Sequence, residues 1–376
     1  MAQIDLEIRQ VKGKKDLEKF IDFPFQLYRD HPYWCPSLKF DDRNTFSRKK
    51  NPAFEVCDAE YWLAIRDGKT VGRVAGIINY QANGKWKEDL VRFGWIDFID
   101  DQDVSAALVT AVEEWGKSKG MKGIHGPLGF TDMDAEGMLI EGFEQLSALS
   151  AIYNYPYYPE HFVRLGFVKA VDWVQYKIPV PAEIPEKIAR LSSLVAEKYS
   201  LELLHTKSKK ELLPYARKLL EMQNVAFRDL YGYAALTDRQ MDLYTNQYFG
   251  FIRREFVSLV LDKNKDVIAF GVTIPSLTRA LQKSKGKLLP FGFIHLLRAL
   301  KNNDAIHMYL VGVRPDFHGK GVLAMIFDDL HRQYLTYGIK MTTTHPQLEE
   351  NFKALSIWKN YEGEMIIRRR CWVRYF

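Results

Sequence analysis

One order of secondary-structure signals is written twice in this chain, and that repetition constrains the fold more than any single motif. YWLAI (61–65), a DGK turn and VGRVAGII (71–78) read as a hairpin, because a turn signal separates two strand-like runs. A strand-like RFGWIDFID (92–100) follows. VSAALVTAVEEWGKSKG (104–120) is then an amphipathic helix, with acids before its start and lysines near its end, and MKGIHGPL (121–128) is a short strand. IPVPAEIPEK (178–187) has three prolines in ten residues and the composition of a linker. Beyond it the order returns: helices near 209–224 and 237–254, a hairpin from FVSLVLD (256–262) and VIAFGVTI (267–274), and the strand HMYLVGV (307–313). A turn with two glycines, a helix to about Tyr337 and IKMTTTH (339–345) complete it. Order is shared without shared letters, which predicts two copies of one α/β fold, each a mixed twisted sheet flanked by helices. The expected domains are 1–180 and 188–376, and 376 residues suffice for two cores. Ahead of the first copy, KKDLEKFIDFPFQLY (14–28) has helical spacing until Pro24 interrupts it.

Composition narrows the class. Hydrophobic residues are 47% and charged residues 27%, the profile of a globular protein. No run of about 18 uncharged apolar residues occurs, and the charged, alternating N-terminus has no secretory apolar region, so a cytoplasmic chain is expected. Cys35, Cys57 and Cys371 are scattered and fit a reducing compartment. A net charge of +6 permits anionic partners, either a phosphate-bearing cofactor or an acidic lipid surface. The basic residues are dispersed among 47 acids without a nucleic-acid module, so nucleic acid is not expected. No metal cluster, Walker motif or dinucleotide fingerprint is present, and no metal is expected.

VGVRPDFHGKGVLAMI (311–326) carries the chemistry. A strand ends, two glycines follow one residue apart, and a helix begins. Helix N-termini leave backbone N–H groups unpaired and favour negative charge. Gly319 and Gly321 allow left-handed angles and close approach of an anionic group to bare backbone. Arg314, His318 and Lys320 add positive charge.

The stretch VRPDFHGKGVLAMIF resembles motif A of the GCN5-related N-acetyltransferase (GNAT) superfamily, Val-x-Pro-x-x-Arg/Gln-Gly-x-Gly-x-Gly/Ala. Val313, Pro315, Gly319 and Gly321 match; His318 replaces Arg or Gln, and Leu323 replaces the last Gly or Ala. ENFKALSIWKNYE (350–362) resembles motif B, with Asn351 and Ala354 matching and Trp358 where a Tyr is usual. The resemblance implies an acyl-CoA or acetyl-CoA co-substrate. That co-substrate would lie on Val311, Val313, Arg314, His318, Gly319, Lys320, Gly321, Val322 and Asn351, with its pyrophosphate on the glycine turn and its pantetheine arm along the preceding strand. PYYPEHFVRLGFVKA (156–170) resembles the tail of motif B, but DDQD stands where the first half would need a glycine turn. The first domain is therefore expected to shape the acceptor site without binding CoA. DHPYWCPSLKFD, KNPAF, VGRVAGIIN, HGPLGF and YNYPYY also resemble a bacterial family of tandem GNAT-like proteins, some of whose relatives are thought to be ceramide synthases.

Acyl transfer to an amine needs an oxyanion donor and a route for protons. The donor expected is a backbone N–H near Val311 to Val313. His345 and His307 are the candidate bases, and Tyr361 is the candidate acid, since Trp358 has no proton to give. The insertion 279–302, RALQKSKGKLLPFGFIHLLRALKN, has six basic residues and no acid around an apolar centre. It reads either as an interfacial segment for anionic lipid at the inner face of the membrane or as an amphipathic helix packed on the core. The expected function is an acyl-CoA-dependent N-acyltransferase, with a lipid amine such as a sphingoid base as the sharper expectation for the acceptor. The rivals are a Fem-type aminoacyl transferase and a non-catalytic binding protein on the same fold.

Overall fold

The computed structural model describes residues 6–376, which divide into two compact units. The first comprises Met1–Val174, Thr278–His295 and Ile367–Phe376; the second comprises Gln175–Leu277 and Leu296–Ile366. This differs from the expected division into 1–180 and 188–376, because part of the insertion and the last strand belong to the first unit. A strand's pairing partner is chosen by long-range packing, which local pattern does not encode.

The first unit is built on strands β1 (Glu7–Gln10), β2 (Cys57–Arg66), β3 (Lys69–Asn79), β4 (Leu90–Phe98), β5 (Gly123–Gly126), β6 (Met138–Glu141) and the start of β7 (Val168–Pro179). β1 to β4 form an antiparallel run, β5 lies parallel to β4, and β5 and β6 each pair antiparallel with the chain's last strand. The expected 61–78 hairpin is the centre of a longer one. Helices α1 (Gly13–Leu27), α2 (Lys39–Thr45), α3 (Tyr80–Trp86), α4 (Gln102–Ser118) and α5 (Tyr157–Arg164) join this unit. Pro24 does not end α1, contrary to expectation. Proline has no N–H, so the carbonyl of Phe20, four residues earlier, loses its helical partner. The buried Arg73 guanidinium donates to that carbonyl at 2.9 Å, and also to Asp97 at 2.7 Å. Phe20, Ile21 and Phe23 are buried on the same helix, and their packing outweighs the lost helical bond.

The second unit holds α6 (Glu186–Tyr199), β8 (Glu202–Leu203), α7 (Lys209–Ala226), α8 (Asp238–Tyr248), β9 (Val257–Leu261) and β10 (Val267–Pro275). Two helices, α9 (Thr278–Ser284) and α10 (Gly292–Lys301), come from the insertion. Then come β11 (Ala305–Val313), α11 (Leu323–Thr336), β12 (Met341–Thr343), β13 (Gln347–Leu348), α12 (Phe352–Leu355) and β14 (Glu364–Tyr375). Strands β8 to β11 are antiparallel neighbours in order, β12 is parallel to β11, and the end of β7 is antiparallel to β12. The proline-rich 178–187 stretch is only partly a linker: β7 runs to Pro179, and α6 starts at Glu186. α6 packs Val195 into the core with Phe256, Ile268, Ile306, Ile326 and Leu330.

β14 is fastened to the first unit by charge as well as by its ladder. Arg370 grips the buried Asp172 with both carboxylate oxygens, at 2.8 and 2.9 Å, and Arg368 adds a third contact at 3.3 Å. Burial alone would raise the Asp172 pKa, but the Arg370 contacts outweigh it and hold the pKa below the ordinary carboxylate value. Asp172→Asn is expected to cost about 2–3 kcal/mol at neutral pH, because it leaves arginines facing a neutral group. A lowered folded pKa contributes stability that is full above the ordinary value of about 4 and is lost as pH falls through the lower folded value. Urea denaturation of both proteins at pH 7 and near pH 3 should therefore give a wide gap that narrows in acid. A gap independent of pH would remove this account.

Candidate functional site

The glycine turn lies in the second unit, between β11 and α11. Arg314 accepts the Phe317 amide on its carbonyl, and Pro315–Phe317 makes one 3₁₀ turn. Gly319 and Gly321 then have φ of +75° and +79°, the left-handed region that glycine adopts without a Cβ penalty. A Cβ at Gly319 would meet nothing within 4 Å, so this backbone is open to approach. Gly321 is seated on α6, where a Cβ would meet Leu191 and Val195 at 3.3 Å. The first α11 bonds run from Ala324 to Gly321 and from Met325 to Val322. Among the described residues, the amides of Gly319, Gly321, Val322 and Leu323 donate to nothing. Four bare amides at a helix start form a cradle for an anion.

The expected cations around the turn are partly engaged. Arg314 forms a two-pronged pair with Asp316 at 2.7 and 3.0 Å, which raises its pKa. The exposed Lys320 ammonium stands 4.6 Å from the Phe317 ring centre and 5.2 Å from that of Tyr199. His318 folds back, its Nε2–H donating to the Val313 carbonyl at 2.9 Å. Lys320 is thus the cation left to meet a phosphate.

The strand leading into the turn parts from its neighbour. β11 pairs with β12 only from Ala305 to His307, whereas β11 continues to Val313. Its β12-facing edge therefore has no strand partner over Val311 and Val313, although the Val313 carbonyl accepts from His318. On the β10 side, Val272 faces Leu310 while Thr273 faces Met308, so Tyr309 is an extra residue, a β-bulge, at the point of divergence. Bulges aim backbone groups away from the ladder and occur beside active sites. The sequence did not reveal this one, because a bulge is a property of two strands in register.

Below the divergence is a small pocket of about 30 Å³ that is partly open to solvent. Ile178, Met308, Phe327, Leu330, Trp358 and Tyr361 are among the residues lining it. Among the described residues, the hydroxyl of Tyr361 and Nδ1 of His331 are buried there without a hydrogen-bond partner. His331 donates from Nε2 to the Pro181 carbonyl at 2.9 Å, which fixes Nδ1 as an acceptor.

Solved structures of the same shape include the tandem GNAT protein of the clavulanic acid biosynthesis pathway, at 10% identity, a TM-score of 0.56, and 99% of this chain on 98% of that one. The GCN5-related N-acetyltransferase of Sphaerobacter thermophilus has 12% identity and a TM-score of 0.53, with 98% of this chain on 95% of that one. The chain has the tandem GNAT fold. Among curated proteins it is 29% identical to protein YghO of Escherichia coli (strain K12) over 316 residues, covering 82% of this chain and 79% of that one. It is 28% identical over 330 residues to the bacterial ceramide synthase of Caulobacter vibrioides, covering 83% of this chain and 82% of that one. No family model matches.

On this GNAT frame the expected chemical residues fall near the diverging strands. Tyr361 is buried in the 3₁₀ turn Ser356–Tyr361, and burial raises its pKa, so it stays a phenol. Trp358, in the same turn, is structural: its indole N–H donates to Gln347 at 2.9 Å, and its ring stands edge-on to Phe327. His307 shares a hydrogen bond with Ser276 at 3.0 Å, and desolvation pushes its pKa down to about 4. His345 follows β12, and desolvation likewise pushes its pKa down to about 4. Both imidazoles are neutral at pH 7 and weak as bases. Asn351 accepts the Leu355 amide on its carbonyl, at the start of α12.

The first unit contrasts with this. There Asp101 caps α4, accepting from the amides of Asp103 and Val104 at 2.9 and 3.3 Å, and it also pairs with Arg66. A carboxylate of the chain occupies the helix start that would otherwise attract an anion.

The first unit also holds three carboxyl groups that the sequence pattern passed over. Asp132 and Asp134 have pKa values pushed up to about 6 by burial, and that of Glu136 is raised by burial and by Asp132. A raised folded pKa means the folded state holds the proton more tightly, so stability falls as pH rises from about 4 to 6 and the cost persists above. Asp132→Asn is expected to stabilise the protein at pH 7 by about 1–3 kcal/mol and to give no gain near pH 3.5. Thermal melts at the two pH values measure it, and equal melting shifts at both would refute the ionisation account.

Proposed function

We propose that this protein is an acyl-CoA-dependent N-acyltransferase whose acceptor is a lipid amine used at an anionic membrane face. The observation that carries the reading is the pairing of an open-edged, bulged strand with four bare amides at the next helix start. The amides of Gly319, Gly321, Val322 and Leu323, with Lys320 beside them, suit a pyrophosphate. The open edge of β11 offers backbone groups to an amide-bearing arm such as that of pantetheine. Bound acyl-CoA would supply an activated acyl carbon.

The reaction joins the amine nitrogen to the thioester carbonyl carbon, breaks the carbon–sulfur bond, and moves one proton from nitrogen to sulfur. A backbone N–H of the free β11 segment, between Val311 and Val313, stabilises the carbonyl oxygen as it gains charge. Tyr361 is the proton donor to the departing sulfur, because burial keeps its hydroxyl protonated. His307 and His345, neutral at working pH, orient groups by hydrogen bonding rather than storing the proton. The lipid acceptor rests on similarity to the Caulobacter ceramide synthase and on the apolar lining of the pocket below the strands. Leu323 leaves the cradle intact, since its own amide remains unpaired.

Calorimetric titration with acetyl-CoA and palmitoyl-CoA tests the reading, beside a Gly319→Glu, Gly321→Glu double variant checked for fold by circular dichroism. The wild type should bind palmitoyl-CoA more tightly than acetyl-CoA, and the folded variant should bind either at least about tenfold more weakly, since carboxylates replace the anion. Tyr361→Phe should leave binding within about twofold and lower kcat about a hundredfold or more. No binding of either thioester to the wild type would overturn the enzyme reading in favour of a GNAT-shaped binding protein.

A further inference from the structure

The insertion at 279–302 is not consumed by packing. Its base is fixed within the first unit: Gln282 of α9 donates to the carbonyls of Pro32 and Trp34 at 3.0 and 2.8 Å. Thr278 donates to the Ser147 carbonyl at 2.6 Å, and the Lys39 amide donates to the Gly286 carbonyl at 3.2 Å. Beyond Gly286 the backbone bonds within itself, with Phe293 reaching Leu288 at 2.8 Å and Ile294 reaching Phe291 at 3.1 Å. This closed tip presents Leu289 at 76% exposure and Phe291 at 69%, followed by Phe293 and Leu297 one turn apart on the outer side of α10. Leu296 is the only fully buried side chain of that helix.

The charge around the tip has one sign. Lys283, Lys285, Lys287, Arg298 and Lys301 are exposed and, among the described residues, form no ion pair; no acidic residue occurs from 279 to 302. A packed amphipathic helix would turn its large apolar residues inward, and a surface loop would balance its lysines with acids. This segment does neither. Free lysines ringing exposed Leu and Phe suit a surface that is itself negative outside and apolar beneath.

We propose that residues 283–301 dock the protein on an anionic phospholipid bilayer, with Leu289, Phe291, Phe293 and Leu297 entering the acyl region and the surrounding cations holding the headgroups. The docking surface stands without acyl-CoA binding; its purpose, meeting a lipid acceptor where it resides, rests on the function proposed above. Among the described residues no helix is long and apolar enough to cross a membrane, so the contact proposed is peripheral.

The test is co-sedimentation of the full chain with phosphatidylcholine vesicles, with and without about 30% phosphatidylglycerol. The wild type should bind the mixed vesicles at least about tenfold more tightly than the neutral ones, and less as salt rises. Leu289→Ser with Phe291→Ser should weaken binding about tenfold or more, and Lys283→Glu, Lys285→Glu, Lys287→Glu should abolish it, with palmitoyl-CoA titration unchanged in both. A Phe291→Trp variant should shift its emission to the blue on the mixed vesicles. Failure of vesicle binding with CoA binding intact would overturn the docking surface alone, and the reverse would overturn only the enzyme reading. Equal binding to both vesicles, binding indifferent to the serine changes, or a dimer in sedimentation velocity that the serine changes split would each overturn the proposal.

Discussion

Everything specific to the second unit follows from β11 and β12 staying together for only three residues. A strand that keeps its neighbour has its backbone groups satisfied; one that loses it within a packed unit has an edge that must find other partners. The Tyr309 bulge falls just past the end of pairing with β12 at His307, and Arg314, the first residue of the turn, accepts its first bond soon after. Divergence and turn are thus parts of one device. The parted strand exposes neutral backbone donors and acceptors, and the turn adds four donors at a helix start. An arm of amides ending in phosphates is the ligand shape that uses both.

The first unit meets the same topological situation and resolves it differently. β4 and β5 also lie parallel over only three residue pairs, and α4 also follows β4. Yet Asp101, rather than a pair of glycines, sits at the helix start, and its carboxylate satisfies the amides an anion would need. A carboxylate there would also repel a phosphate at close range. The choice of residues at the turn therefore separates an open helix start from a capped one on the same frame. The half-buried carboxyls of Asp132 and Asp134 carry a stability cost at neutral pH.

Local conformation was legible in the residues; partners were not. Gly319 and Gly321 could be read because their left-handed angles require glycine, and the strand before and helix after have clear periods. The hairpins could be read from their turns. α6 was hidden by three prolines, although its Leu191 and Val195 form the seat of Gly321. The place of β14 was hidden for another reason: its arginines alternate with buried residues, but nothing local says that their carboxylate is Asp172, about two hundred positions earlier. The candidate site was legible to the same extent. The glycine turn was visible, whereas the Tyr309 bulge and the environments of Tyr361 and the two histidines depend on packing.

Desolvation decides the roles those side chains can take. His307 and His345 are the residue type that titrates nearest neutrality, yet burial moves both to about 4. A base that weak takes a proton from an ammonium ion only at great cost. The same burial has the opposite effect on Tyr361, since it favours the neutral phenol and keeps its proton in place. The same apolar surroundings therefore leave two imidazoles as poor proton acceptors and one phenol protonated.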